Sequence, residues 1–361
     1  HNVFRGRRNP DNVVKPVTRV TGPAERTTHL MRASRTRTAG VIAVAGVSSV
    51  LLAACGSSSS STTTAASGSG SAAAASCAGK KIAFVMGAES DPFFQAMKVG
   101  ATEQTAKQGA TLIWQGDPKE YSPATQIPVV DQVLAQQPDA LVLIPTDPDA
   151  LQASVTKAAA ANVVVANVDT HVTDLGQVLT FITGDNADGG AKAADAIAAS
   201  IGYKSGGSYK VVVGLSSETA TTNVARLDGF KKAIAAKYKG IEIVDVAYSQ
   251  SKPEVANTNV NNWLTKYPDL NGIFAIDGTN ATGAASALQA KGLVGKVALV
   301  GYDAYPDNVK LIKSGVFTAL VAQDPAQGLN LRLRPIPQIG DRTLPDFVAV
   351  AIAFAQQNCG R

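Results

Sequence analysis

From Lys80 onward the chain alternates short, almost purely apolar runs with amphipathic stretches, and that alternation restricts the fold more than any other feature. The runs Ile82 to Met86, Leu112 to Trp114, Ala140 to Ile144, Val163 to Val168 and Val178 to Ile182 have the length of strands. Between them, Phe94, Met97 and Ala101 mark one helix, Ile127, Val130 and Leu134 a second, and the Ala-rich stretch from Pro148 to Ala161 a third. The pattern then starts afresh. A helix from Ala187 to Ile201 is followed by strands at Val211 to Leu215, Ile241 to Val246, Gly272 to Ile276 and Val297 to Val300, with helices filling the gaps. A strand with one wet face alternates apolar and polar residues, whereas a continuous Val/Ile/Leu run needs cover on both faces, which helices provide in a parallel sheet. Two such sets predict an α/β chain of two Rossmann-like lobes with parallel sheets joined by a hinge, one lobe over 80–184 and the other over 185–323.

The polar residues fall where such sheets bind. Asp169 follows one strand, Asp277 another, and Asp303 comes three residues after Val300, so each stands at a strand's carboxyl end. One aspartate in a loop is ordinarily a helix cap or a turn former. Several at corresponding places point to a cleft between the lobes.

Charge carries no nucleic-acid signal. The formal net charge of +5 is concentrated before residue 55, where 9 Lys+Arg face 2 Asp+Glu, while residues 80–328 hold 20 against 24. Arg32, Arg35 and Arg37 precede an apolar run that ends in Leu51-Leu52-Ala53-Ala54-Cys55, which resembles a bacterial lipoprotein signal over residues 31–54. The resemblance implies that Cys55 carries the lipid and anchors the protein to the outer face of the cell membrane. Residues 55–79, rich in Gly, Ser, Thr and Ala, then read as a flexible tether. Met31 stands where the signal should begin, and residues 1–30, without helical or strand periodicity, read as an upstream extension. Cys77 and Cys359 remain either as a disulfide, which an exported location permits, or with Cys77 as a free thiol.

Asp91-Pro92-Phe93-Phe94, just after the first strand, resembles the Asn/Asp-Pro-Phe-Phe motif of the ribose-type periplasmic binding proteins. Pro145-Thr146-Asp147, Gly184-Asp185-Asn186, Gly229-Phe230, Val300-Gly301-Tyr302-Asp303 and Ala322-Gln323-Asp324-Pro325 follow in the family's order, so the likeness covers about residues 80 to 328. It implies the periplasmic binding protein-like type 1 fold: two lobes joined by three crossovers, a solute gripped in the cleft, and closure by hinge bending. It further implies a monomer that delivers a sugar or sugar-like solute to an ABC transporter permease, with no cofactor. Phe93 and Phe94 would then offer an aromatic face to a sugar ring, with one of the two in the cleft. Asp91, Asp169, Asp277, Asp303 and Gln323 would meet its hydroxyls, and Gln323 would also serve the hinge.

Two departures bear on the solute. The family's ribose binders carry arginines at the positions of Thr170 and Val224, two further members of the expected ligand wall, and Gly87 replaces a hydroxyl residue. Arg226 remains and is expected to be structural. A wall with several carboxylates and few cationic donors favours a neutral or amine-bearing solute over an acidic one.

An enzyme is not expected, since His171 is the single histidine after Cys55 and no metal-ligand spacing, dinucleotide fingerprint or Walker loop occurs in the body. A sugar-responsive repressor would need a helix-turn-helix before Lys80, where the signal and tether stand. A receptor that passes its liganded form to a membrane sensor remains an alternative to import. In residues 324–361 the expected return to the first lobe is not legible: Leu331 to Pro337 carries two prolines and two arginines, and from residue 329 on the tail holds four Arg and no Lys. A frameshift near Gln327 would account for it.

Overall fold

The computed structural model describes residues 2–5 and 77–323. In chain order the first elements are β1 (Asn2–Arg5), β2 (Lys81–Ala88), α1 (Pro92–Gln108), β3 (Thr111–Asp117), α2 (Pro123–Leu134), β4 (Ala140–Leu143), α3 (Gln152–Ala160), β5 (Val164–Val168) and β6 (Thr180–Ile182). They are followed by α4 (Asn186–Ser200), β7 (Tyr209–Leu215), α5 (Thr221–Lys237), β8 (Ile241–Tyr248) and α6 (Pro253–Lys266). The last are β9 (Gly272–Ala275), α7 (Gly278–Ala290), β10 (Ala298–Tyr302), α8 (Pro306–Lys313) and β11 (Ala319–Ala322).

The strands form two sheets. The N-terminal lobe holds β3-β2-β4-β5-β6, all parallel, and the C-terminal lobe holds β11-β10-β9-β7-β8, also parallel, with β1 added antiparallel at the free edge of β11. The apolar runs explain this arrangement. Every residue of β4, β9, β10 and β11 is buried, and each sheet carries an apolar cluster on both faces, around Phe84 and Leu141 in one lobe and around Phe274 and Leu299 in the other. A chain that reverses its strand order on either side of the first strand leaves a crevice at the carboxyl ends, and in both lobes that crevice faces the other lobe's.

Local signals set the helix starts. Asp91 caps α1 with Pro92 in its first turn, and Gly109 closes that helix in left-handed backbone at φ 69°. Helix α3 begins later than the Ala-rich stretch predicts, because the Asp147 carboxylate accepts the N–H groups of Asp149 and Ala150 and holds them in a turn. The absence of strand periodicity in residues 1–30 is likewise corrected at one place: Asn2–Arg5 pairs with Ala319–Ala322, whose edge offers unpaired backbone groups.

The chain crosses between lobes at Thr183 to Asp185 and leaves the second sheet at Gln323. The signal at 31–54, Cys55, the tether up to residue 76, the tail at 324–361 and any third crossing lie outside the described residues. Cys77, fully buried, is disulfide-bonded, which removes the free-thiol alternative.

Candidate functional site

Each lobe delivers two aspartates to the cleft by the same two devices. Asp91 and Asp277 are N-caps: Asp91 Oδ1 accepts from the Phe93 N–H at 2.9 Å, and Asp277 Oδ1 accepts from the Asn280 N–H at 2.9 Å. Asp169 and Asp303 follow β5 and β10 in left-handed backbone, at φ 62° and 65°. Each then donates its N–H to the neighbouring strand, Asp169 to the Ile182 carbonyl and Asp303 to that of Val321, both at 2.8 Å. Left-handed backbone costs a non-glycine residue on the order of 1 kcal/mol, and here it aims two carboxylates across the gap.

The residues that share this cavity are Asp91, Phe93, Phe94, Asp169, Asp277, Asp303 and Gln323, together with Tyr121, Ser216, Thr222, Asn223, Arg226, Ser251 and Tyr305. Both phenylalanines line it, edge to face with ring centres 5.5 Å apart, and both also belong to the core beneath. Two expected members do not. Thr170 is fully buried, and its hydroxyl donates to the Pro145 carbonyl at 2.6 Å and hydrogen-bonds Tyr121, so it backs a lining residue without lining the cavity itself. Val224 is 39% exposed, because on α5 the spacing that turns Thr222, Asn223 and Arg226 to the cleft rotates residue 224 toward solvent.

Arg226 is the basic residue of the cavity and has structural bonds as well. Its Nε donates to Asn186 Oδ1 at 2.8 Å, a terminal nitrogen donates to the Ile276 carbonyl at 3.1 Å, and the guanidinium stacks 3.9 Å above the Tyr302 ring. Two glycines bring it there. A Cβ on Gly190 would stand 1.9 Å from the Arg226 carbonyl oxygen, and one on Gly229 would stand 2.0 Å from that of Ala187, so α4 and α5 touch backbone to backbone.

Electrostatics follow from four carboxylates around one guanidinium, with Asp169, Asp303 and Arg226 buried. Burial pushes Asp303 up to about 7, against the pull of Arg226 and the Gln323 amide. Burial likewise pushes Asp169 up to about 6, with Arg226 opposing and the charge of Asp91 adding to the rise. Asp91 is raised by burial too, although Tyr305 and the Phe93 N–H favour its charged form. For Arg226, burial works against the charge, and Tyr302, Asp303, Asp169 and Asp277 more than offset it. Among the described residues no group of His, Cys, Asp and Glu is placed to hold a metal ion.

The lobes touch directly. The Tyr305 hydroxyl of the second lobe donates to Asp91 Oδ1, Thr279 Oγ1 donates to Asp91 Oδ2 at 3.0 Å, and Lys252 pairs with Glu120 at 3.0 Å. Tyr305 and Tyr121 were not legible as site residues, and both stand over glycines. A Cβ on Gly278 would lie 2.2 Å from the Tyr305 ring, and one on Gly87 would lie 2.5 Å from that of Tyr121. The missing side chain at Gly87 was the visible half of that pairing.

Residues 82–328 match a model of the periplasmic binding protein domain. The chain is 33% identical over 250 residues to the ribose import binding protein RbsB of Escherichia coli strain K12, covering 68% of this chain and 80% of that protein. The D-ribose/D-allose-binding protein of Pseudomonas aeruginosa is 32% identical over 242 residues, covering 64% of this chain and 72% of its own. Among solved structures, an ABC transporter solute-binding protein from Agrobacterium vitis bound with alpha-D-tagatopyranose superposes with a TM-score of 0.64 at 33% identity, over 68% of this chain and 84% of that one.

Proposed function

Since the chain belongs to the periplasmic binding protein family, we propose that it captures a sugar or sugar-like solute between its lobes, outside the cytoplasm, for import by an ABC transporter. The observation that carries this reading is a cavity in which the carboxyl ends of both sheets meet, with aromatic rings and carboxylates on facing walls. Phe93 and Phe94 cover the C–H face of the guest. Asp169, Asp277, Asp303, Asn223 and Gln323 accept or donate to its hydroxyls, Arg226 donates, and Asp91 both closes the cleft and caps α1. Thr170 and Val224 take no part. As the guest of a binding protein, the solute leaves unchanged.

Four carboxyl groups beside one guanidinium make the cleft a poor home for an anion, which would displace water without gaining a counter-charge. The solute is therefore neutral or amine-bearing. Lipidation at Cys55 and the tether after it would hold a monomer at the membrane, within reach of the permease. Isothermal titration against aldoses, ketoses, polyols and sugar acids tests the core of the proposal. A neutral sugar or polyol should bind with micromolar or tighter affinity, and tight binding of sugar acids alone would overturn it. Mass spectrometry of the membrane fraction, looking for a diacylglyceryl group on Cys55, tests the anchor.

A further inference from the structure

On the hinge side of the cleft lies a second pocket, of about 250 Å3, against about 50 Å3 for the cavity between the sheet edges. The larger, outer space adjoins the smaller, inner one between the sheet edges. The outer pocket is walled by Phe181 and His171 from the first lobe, by the crossing Thr183 to Asp185, and by Ala187, Thr221 and Ala225 from the second.

The two spaces meet at Asp169 and Thr222, which line both. Asp169 is 7% exposed, its backbone N–H and carbonyl are engaged by Ile182 and Thr183, and its carboxylate receives no hydrogen bond from any described residue. Buried carboxylates ordinarily have donors, and this one is open to a group that passes between the two spaces.

We propose that the solute is longer than one sugar ring, with one unit in the inner cavity and a second, hydroxyl-rich and neutral or amine-bearing, in the outer pocket, the link between them running past Asp169. This rests on the sugar-capture reading and adds the size and shape of the guest. The outer walls suit such a unit. Phe181 gives an apolar face, edge to face with His171 at 4.6 Å. The His171 Nδ1 donates to the Val172 carbonyl at 2.8 Å, which leaves Nε2 to meet a hydroxyl of the guest. The Thr221 hydroxyl, which accepts from the His171 N–H at 3.3 Å, keeps its proton for the guest, and α5 opens onto the pocket without a side-chain cap. The charged side chains of the lining are Asp169 and Asp185, with no Lys or Arg, so an acidic unit would be left unpaired.

The test is titration calorimetry on the whole protein with matched pairs: glucose with maltose and cellobiose, galactose with lactose and melibiose, xylose with xylobiose, arabinose with arabinobiose. Each is repeated on Ala187→Trp and Ala225→Trp, which fill the outer pocket from helix positions that do not line the inner one. At least one disaccharide should bind ten-fold or more tightly than its parent, and both tryptophans should bring that pair to within about two-fold. Monosaccharides that bind as well as their disaccharides overturn the proposal while leaving sugar capture intact, and so does a gain that survives both tryptophans. Binding of neither class overturns the capture reading, and this one with it.

Discussion

The N-terminal lobe brings Asp91 and Asp169 to the cleft and the C-terminal lobe brings Asp277 and Asp303, one helix cap and one left-handed residue from each, yet the two pairs are held in opposite ways. In the C-terminal lobe, Asp277 accepts from the backbone of Ser216 and Asn280 and from the Asn280 amide, and Asp303 accepts from Gly278 and from Gln323. All of these donors lie on its own side. In the N-terminal lobe, Asp91 has only its cap bond from the Phe93 N–H on its own side and takes its other donors, Tyr305 and Thr279, from across the cleft, and the Asp169 carboxylate has no hydrogen bond from the described residues. One wall is thus preorganised by its own fold, and the other is completed by closure and by the guest. A binding protein that must open and close gains from this asymmetry: the rigid wall fixes orientation, while the unfinished wall makes closure depend on what is bound.

The largest test of the contrast is stability. Asp277→Ala removes a helix cap, leaves the buried Asn280 N–H without an acceptor and takes one of two acceptors from the Ser216 N–H, which keeps Asn223 Oδ1; this should cost roughly 2 kcal/mol in urea unfolding. Asp169→Ala removes a buried carboxylate without hydrogen-bond donors and should change stability by less than about 1 kcal/mol, in either direction. Equal losses would erase the difference between the walls. Affinity should rank the other way: Asp169→Asn is expected to weaken solute binding by about 2 kcal/mol, roughly thirty-fold, at an unchanged or higher melting temperature. An unchanged dissociation constant in calorimetry would remove Asp169 from the site.

The same contrast explains what the sequence could reveal. Strands β4, β5, β7 and β9 are legible because burial on both faces demands continuous apolar runs, and the strand-end aspartates are legible from their place after those runs. Two positions carried over from the family, Thr170 and Val224, do not line the cavity. A hydroxyl can turn back to a nearby carbonyl, as Thr170 does to Pro145, and one step along a helix rotates a side chain by about 100°, from the cleft at Asn223 to solvent at Val224. The family position of Arg226 points to a structural role, which its bonds to Asn186 and Ile276 fit, and its place on the cavity wall emerges only from the contact of α4 with α5 at Gly190 and Gly229. Tyr121 and Tyr305 precede helices in loops without period, and the glycines that make room for them are distant in sequence, so no local pattern marks the pairs.

Proton uptake should distinguish the walls at the next level of effect. Asp169 and Asp303 are raised by burial to about 6 and about 7, while the unfolded chain keeps them near the ordinary carboxylate value. The folded protein therefore binds the extra protons. Their stabilising contribution is complete below the unfolded value and is lost as pH rises through 6 and 7. Between about pH 6 and pH 8 the loss should be on the order of 1 kcal/mol, mostly from Asp303. Melting temperatures across that range should fall with rising pH, and Asp303→Asn should flatten the slope more than Asp169→Asn. A slope of the opposite sign would mean that Arg226 governs both carboxylates more strongly than burial does.

The smallest expected effect tests the dependence of Asp91 on the opposite lobe. Tyr305→Phe keeps the ring over Gly278 and its packing against the N-terminal core, and removes only the hydroxyl that Asp91 accepts from. The closed form then loses one hydrogen bond to a buried carboxylate, about 1 kcal/mol, while the open form, in which water serves both groups, loses almost nothing. The ratio of open to closed molecules should rise by roughly five-fold without solute, visible as a larger radius of gyration in small-angle X-ray scattering. Saturating solute should restore the wild-type value, because the guest supplies its own bridge between the walls. Thr279→Val should act in the same direction and by less, since a neutral hydroxyl at 3.0 Å makes the longer of the two contacts. Scattering unchanged in both variants would mean that the N-terminal pair does not need its partners across the cleft, and closure would have to be set at the hinge.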